Sequence, residues 1–179
     1  MIKKQNIKKI LASLFVASML LTPMLFTSCD HSPEDEETTT EETTTEETTT
    51  YTGSGLVTFL GTGSLNTDGD VEVTPDGWNT SSTLGTSLTV ANLKSITVNA
   101  KLSDTGYQGS IKLSGGSEDN ESVYANVTET SFSDVTVDIS SCTATTLSDD
   151  QFFIMSTTDW SATTDKTITI HSITIVKNK

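Results

Sequence analysis

The chain contains no arginine, and its lysines are few and unevenly placed. Four of the ten, Lys3, Lys4, Lys8 and Lys9, fall at the extreme N-terminus. All 24 acidic residues come after Cys29, so the chain from that point carries a formal charge of −18. A nucleic-acid interface needs a basic footprint, and the six remaining lysines do not form one. The same balance opposes docking onto an anionic membrane face and favours a neutral or cationic partner. Cysteine is scarce too: Cys29 and Cys142 alone supply no disulfide framework and no zinc spacing. The only histidines are His31 and His171, and no serine–histidine pairing signal accompanies them. No glycine-rich phosphate loop is present. No long stretch holds a helical period; Val90 to Ser95 suggests a single turn.

What is present begins with an address. After the four lysines, Ile10 to Leu25 is apolar but interrupted by Ser13, Ser18, Thr22 and Pro23. That run is too short and too broken for a spanning helix and reads as an export signal. It ends in Phe26-Thr27-Ser28-Cys29, which resembles the lipobox of bacterial lipoproteins, with Phe26 where that family usually has Leu. The resemblance implies a signal peptide over residues 1–28 and cleavage before Cys29. It also implies a diacylglycerol on the Cys29 thiol, a membrane partner through that lipid, and a place in the bacterial cell envelope. There the outer membrane or cell surface is expected rather than the cytoplasm. Cys142 is then a lone thiol, read as a small buried hydrophobe.

Residues 29–52 read as a lipidated Cys followed by a disordered tether. Asp30 to Thr50 holds nine acidic residues and three consecutive copies of Glu-Glu-Thr-Thr-Thr, beginning at Glu36. Pro33 apart, nothing there is apolar enough to offset the entropy of ordering. Such a spacer reaches at most ~70 Å.

Residues 53–179 read as one all-β domain. Gly, Asn, Asp, Ser and Thr punctuate short runs in which apolar residues alternate. The runs are Leu56 to Leu60, Val71 to Val73, Ile96 to Leu102, Ile111 to Leu113, Val123 to Val127, Val135 to Ile139, Gln151 to Ser156 and Lys166 to Lys177. Several short strands at this spacing predict an antiparallel β-sandwich. In the last run Ile168 and Ile170 share one parity and Ile173 and Ile175 the other, which predicts a β-bulge near His171-Ser172. Gln151 to Met155 is apolar on both faces and is expected at the centre of a sheet. An all-β domain of this size, loop tryptophans and a terminal Ile-x-Ile-His-Ser-Ile-x-Ile-Val strand together resemble the jelly-roll carbohydrate-binding modules of secreted glycan-degrading systems. The resemblance implies a jelly-roll-like sandwich that binds sugar without catalysis.

The residues themselves suggest where. Trp78 follows the turn signal Pro75-Asp76-Gly77, and Trp160 sits in the polar segment Thr157 to Ser161. An indole binds the C–H face of a sugar while neighbouring polar groups take its hydroxyls; Asp159, Asn79, Asp76 and Gln108 are placed for that role. Tyr124, between inward-pointing Val123 and Ala125, is expected to face outward. The bland alternative makes each tryptophan a lid on one end of the sandwich. Asn66, Asp68 and Asp70 place oxygens at alternate positions, a weak calcium signal, since Val71 and Gly77 stand where the EF-hand pattern needs Gly and Glu. No other cofactor is suggested. Carboxylates are plentiful, but nothing marks a glycosidase pair, and about 125 residues is small for such an enzyme. The partner is therefore read as a glycan, or alternatively as a cell-surface protein contacted by an adhesion module.

Overall fold

The computed structural model describes residues 45–178. Cys29, the export signal and most of the tether lie outside the described residues. Ten antiparallel strands form two stacked sheets. They are β1 (Glu46–Thr52), β2 (Ser64–Leu65), β3 (Val71–Val73), β4 (Thr80–Thr89), β5 (Leu93–Leu102), β6 (Tyr107–Ser114), β7 (Ser122–Val127), β8 (Ser133–Val137), β9 (Thr146–Ser156) and β10 (Ile168–Asn178). The first sheet runs β2-β3-β10-β5-β8, with β1 also on β10; the second runs β4-β9-β6-β7. The predicted β-sandwich is the observed fold.

Alternation produces the core directly. Ile96, Val98, Ala100 and Leu102 of β5 are buried, as are Val123, Ala125 and Val127 of β7. They meet Phe152 and Ile154 of β9 and Ile168, Ile170, Ile173 and Ile175 of β10 in one continuous cluster. The expected bulge is present: the β10–β5 register shifts between Ile170 and Ser172, and both isoleucine pairs on either side of it reach the core. The central position expected for Gln151 to Ser156 is also observed, with β9 paired to β4 and β6.

Two expectations are corrected. Leu56 to Leu60 is not a strand; it lies in α1 (Gly53–Leu60). Leu56, Phe59 and Leu60 are its buried residues, an i, i+3, i+4 spacing that a five-residue apolar run conceals. Gly61, at φ 70, ends the helix with its N–H on the Val57 carbonyl. The second correction concerns the tether. Its last repeat, with Tyr51 and Thr52, is strand β1, paired from Glu46↔Asn178 to Thr52↔Ser172. The repeat brings no apolar residue, but the free edge of β10 supplies backbone partners, and β-branched threonine suits an extended chain.

The connections β3–β4, β5–β6, β7–β8 and β9–β10 gather at one end of the sandwich. The Thr74 and Thr167 hydroxyls are 3.0 Å apart. Ser103 N–H donates to the Thr167 carbonyl, Leu102 N–H to Glu129, and Thr157 N–H to Gly106. Strand β1 begins at the opposite end, beside Asn178.

Candidate functional site

Both tryptophans belong to the gathered end, in the β3–β4 and β9–β10 connections. Neither is a core lid: Trp78 is 71 % exposed and Trp160 55 %. Trp78 follows Pro75, which is buried, and precedes Thr80, whose hydroxyl accepts the Asp76 N–H at 3.0 Å. The turn is thus tied to the root of β4 while the indole is left free. Asn79 is exposed beside it.

Trp160 is held more tightly. Its N–H donates to the Ser156 carbonyl at 3.0 Å, and Ser156 N–H donates to Ser161 at 2.9 Å, closing the loop on itself. Asp159 Oδ1 accepts the Ser161 N–H at 3.1 Å and the Ser161 hydroxyl at 2.7 Å. These bonds hold the Asp159 carboxyl below the usual carboxylate range. The Asp159 carboxyl therefore scaffolds the loop. Trp160 is the only non-glycine with positive φ among the described residues, at 57°. A bulky residue in that conformation is strained, and such strain clusters at working sites. Nearby, Lys166 bridges Asp104 at 3.0 Å and lies over the Tyr107 ring at 5.4 Å.

Tyr124 points outward as expected, 36 % exposed between buried Val123 and Ala125. The register places it away from the tryptophans, in the cross-strand row Tyr124–Lys112–Gln151–Ser81 on the outer face of the second sheet. Lys112 Nζ lies 5.7 Å from its ring. Beside that row is an open polar cleft of about 470 Å³, lined by Ser81, Ser82, Ser114, Asp149, Asp150 and Gln151 among others. Tyr124 thus belongs to a different surface from Trp78 and Trp160. Gln108, opposite Met155, lies closer to the Trp160 loop than Tyr124 does.

The Asn66–Asp70 segment is an Asx turn. Asn66 Oδ1 accepts N–H groups from Asp68 and Asp70, both at 3.0 Å, and its amide donates to Glu72. Asp70 Oδ1 sits 2.7 Å from His171 Nδ1. Asn66 Oδ1 and Asp70 Oδ1 are thus engaged within the protein, and no group of three or more His, Cys, Asp or Glu side chains that could hold a metal is found among the described residues. Cys142 is half-buried and packs against the core.

Sequence reasoning missed two polar contacts. Asp70 and His171 are 101 positions apart and meet because the bulge turns His171 outward beside the β2–β3 turn. Asp150 is 0 % exposed, and Ser82 of β4 holds it. Asp150 shares the inward parity of Phe152 and Ile154, but it lies just outside the apolar run that begins at Gln151.

No family model matches the chain, and no curated protein matches it. Among solved structures it is similar to a family two carbohydrate esterase from Cellvibrio japonicus, at 11% identity and a TM-score of 0.40. The match covers 75% of this chain and 36% of that one, so the chain spans about a third of the esterase's length. A likeness this slight does not carry the esterase's activity across.

Proposed function

We propose that this protein is a non-catalytic carbohydrate-binding β-sandwich, held in the bacterial envelope by lipid on Cys29, that stacks sugar rings on Trp78 and Trp160. The observation that carries this reading is the display of both indoles at one end of the sandwich, one of them on a strained, self-bonded loop. A protein that needed Trp160 only for packing would have no use for a left-handed backbone that leaves the ring in solvent. Asp159 and Asn79 flank the rings and supply hydrogen bonds to hydroxyls.

The polarity of the domain supports display. The described chain enters at Glu46, beside Asn178, whereas the tryptophan loops adjoin the start of β10. At ~3.3 Å per residue the strand separates these ends by roughly 35 Å. A membrane-anchored domain tethered at its N-terminal side thus presents the indoles away from its anchor.

A ring covering half an indole contributes about 2 kcal/mol. Two such platforms give roughly 4 kcal/mol before association costs, which corresponds to a dissociation constant near ~1 mM. Useful retention comes from many anchored copies on one repeating polymer. Affinity electrophoresis against a panel of polysaccharides tests the reading, with Trp78→Ala and Trp160→Ala as controls. Retardation by at least one polysaccharide, lost in either variant with melting temperature unchanged, is the expected result. Retention of a cell-surface protein instead, with no polysaccharide bound, would favour the adhesion alternative.

A further inference from the structure

The interior of the sandwich contains one carboxyl that the proposed binding surface does not use. Asp150, on β9, lies opposite Ser82 of β4 and Leu113 of β6, on the inward face of the second sheet. Its Oδ1 accepts the Ser82 N–H at 3.1 Å and is in short contact with the Ser82 hydroxyl. Its Oδ2 is buried without a partner. The same Ser82 hydroxyl lies 2.6 Å from the carbonyl oxygen of Leu60, the last residue of α1.

Counting hydrogens shows what this arrangement requires. Ser82 Oγ carries one hydrogen and touches two acceptors, the Asp150 carboxyl and the Leu60 carbonyl. If Asp150 is ionised, only one contact is a hydrogen bond, and the other sets two lone pairs against each other at bonding distance. If Asp150 carries a proton, both contacts are bonds: Asp150 O–H donates to Ser82 Oγ, and Ser82 O–H donates to Leu60. We propose that Asp150 is the proton-bearing member of a latch between α1 and the β4–β9 edge, closed when its carboxyl is neutral and opened when the proton leaves.

The surroundings favour the neutral form. Burial, the largest influence, raises the Asp150 carboxyl to about 6, against the lowering effect of the Ser82 bonds. Asp149 adds a smaller upward push. Among the described residues no cation faces Asp150 to offset this. Neither α1 nor β4 contains a titratable side chain. On β6, Lys112 turns to the outer face over Tyr124, and Tyr107 lies at the far end beside Lys166. The interior side chains of the first sheet are apolar.

The latch lies where α1 is pressed backbone-to-backbone on β4. A Cβ on Gly85 would sit 2.1 Å from the Thr58 carbonyl oxygen, and one on Gly61 2.5 Å from that of Thr83. Phe59 of the same helix stacks on Tyr51 of β1. Opening the latch therefore loosens the helix that holds the first described strand.

The sign of the effect is definite. A carboxyl raised above its unfolded value of 3.8 stabilises the folded state below that value, and this stability is lost as pH rises through about 6. Wild-type protein should lose on the order of a hundredfold in its folding equilibrium constant between pH 4 and pH 8 that Asp150→Asn does not lose. Asparagine has no titrating proton: its Nδ2 in the place of Oδ1 donates to Ser82 Oγ but gives up the Ser82 N–H bond, so that variant is less stable yet keeps one state at every pH. Carbon-13 NMR of the wild-type Asp150 carboxyl gives its midpoint without any variant, so a poorly folding D150N leaves the question decidable. Exchange protection at the Gly61 amide, corrected for intrinsic rate, should fall above that midpoint in wild type and stay level in D150N. A carboxyl titrating near 4, or a Gly61 amide indifferent to the Asp150 midpoint, overturns the proposal.

Discussion

The rings of Tyr51 and Phe59 stack with centroids 4.3 Å apart and planes 20° from parallel. Tyr51 ends a repeat of identical pentads, any of which has the backbone to pair with β10. Its ring distinguishes the last copy. Moving the chain by one pentad would put Glu46 in the place of Tyr51, against buried Phe59. The Tyr51–Phe59 contact therefore favours this register over one shifted by a pentad.

Removing the ring should unpin the strand. Tyr51→Ala is expected to cost roughly 2–3 kcal/mol, the loss of a partly buried aromatic and its stack. Chemical denaturation measures this, and amide exchange should show Thr48 to Thr52 unprotected while β5 stays protected. Unchanged protection in β1 would mean that backbone pairing alone sets the register.

Gly85 should tolerate no side chain. Its missing Cβ is filled by the Thr58 carbonyl, backbone that cannot swing away. Gly85→Ala should cost at least ~2 kcal/mol, because helix and strand must separate. Gly69→Ala, where a Cβ meets nothing, is the comparison for a glycine with positive φ and open space. Equal losses at the two positions would contradict the close α1–β4 contact.

Trp160→Gly separates strain from binding. Glycine adopts φ near 57° freely, so relieving the strain should leave stability equal or raise it by about 1 kcal/mol. Polysaccharide binding should vanish in the same variant. A clear loss of stability would show that the indole packs against the fold.

The Trp160 loop should respond to acid. Asp159 is held below the usual carboxylate range chiefly by the Ser161 hydroxyl bond, with the Ser161 N–H adding to it. For a lowered carboxyl the contribution is present above the unfolded value and is lost as pH falls through the folded one. Trp160 fluorescence in a Trp78→Phe background should therefore hold constant down to about pH 4 and change below it. Asp159→Asn should abolish that transition, and its persistence would assign it to another group.

Much of the fold was legible because burial on one face of a strand writes a period of two into the chain. β5, β7 and the phase change at His171 were read from that period, and so was the outward turn of Tyr124. The polar neighbours of the tryptophans placed both in loops, but exposed and lid positions alike stayed open. What stayed hidden depends on partners remote in sequence. Glu46–Thr52 is a strand because β10, over 120 positions away, offers an open edge. Leu56–Leu60 is a helix because glycines at 61 and 85 let it lie against β4. Asp150 favours its neutral form because the fold buries it, against the opposing bonds from Ser82. Local patterning therefore determined which side chains are buried. Only tertiary structure decided which backbone edges met, which loops shared an end, and what surrounded a polar group once it was inside.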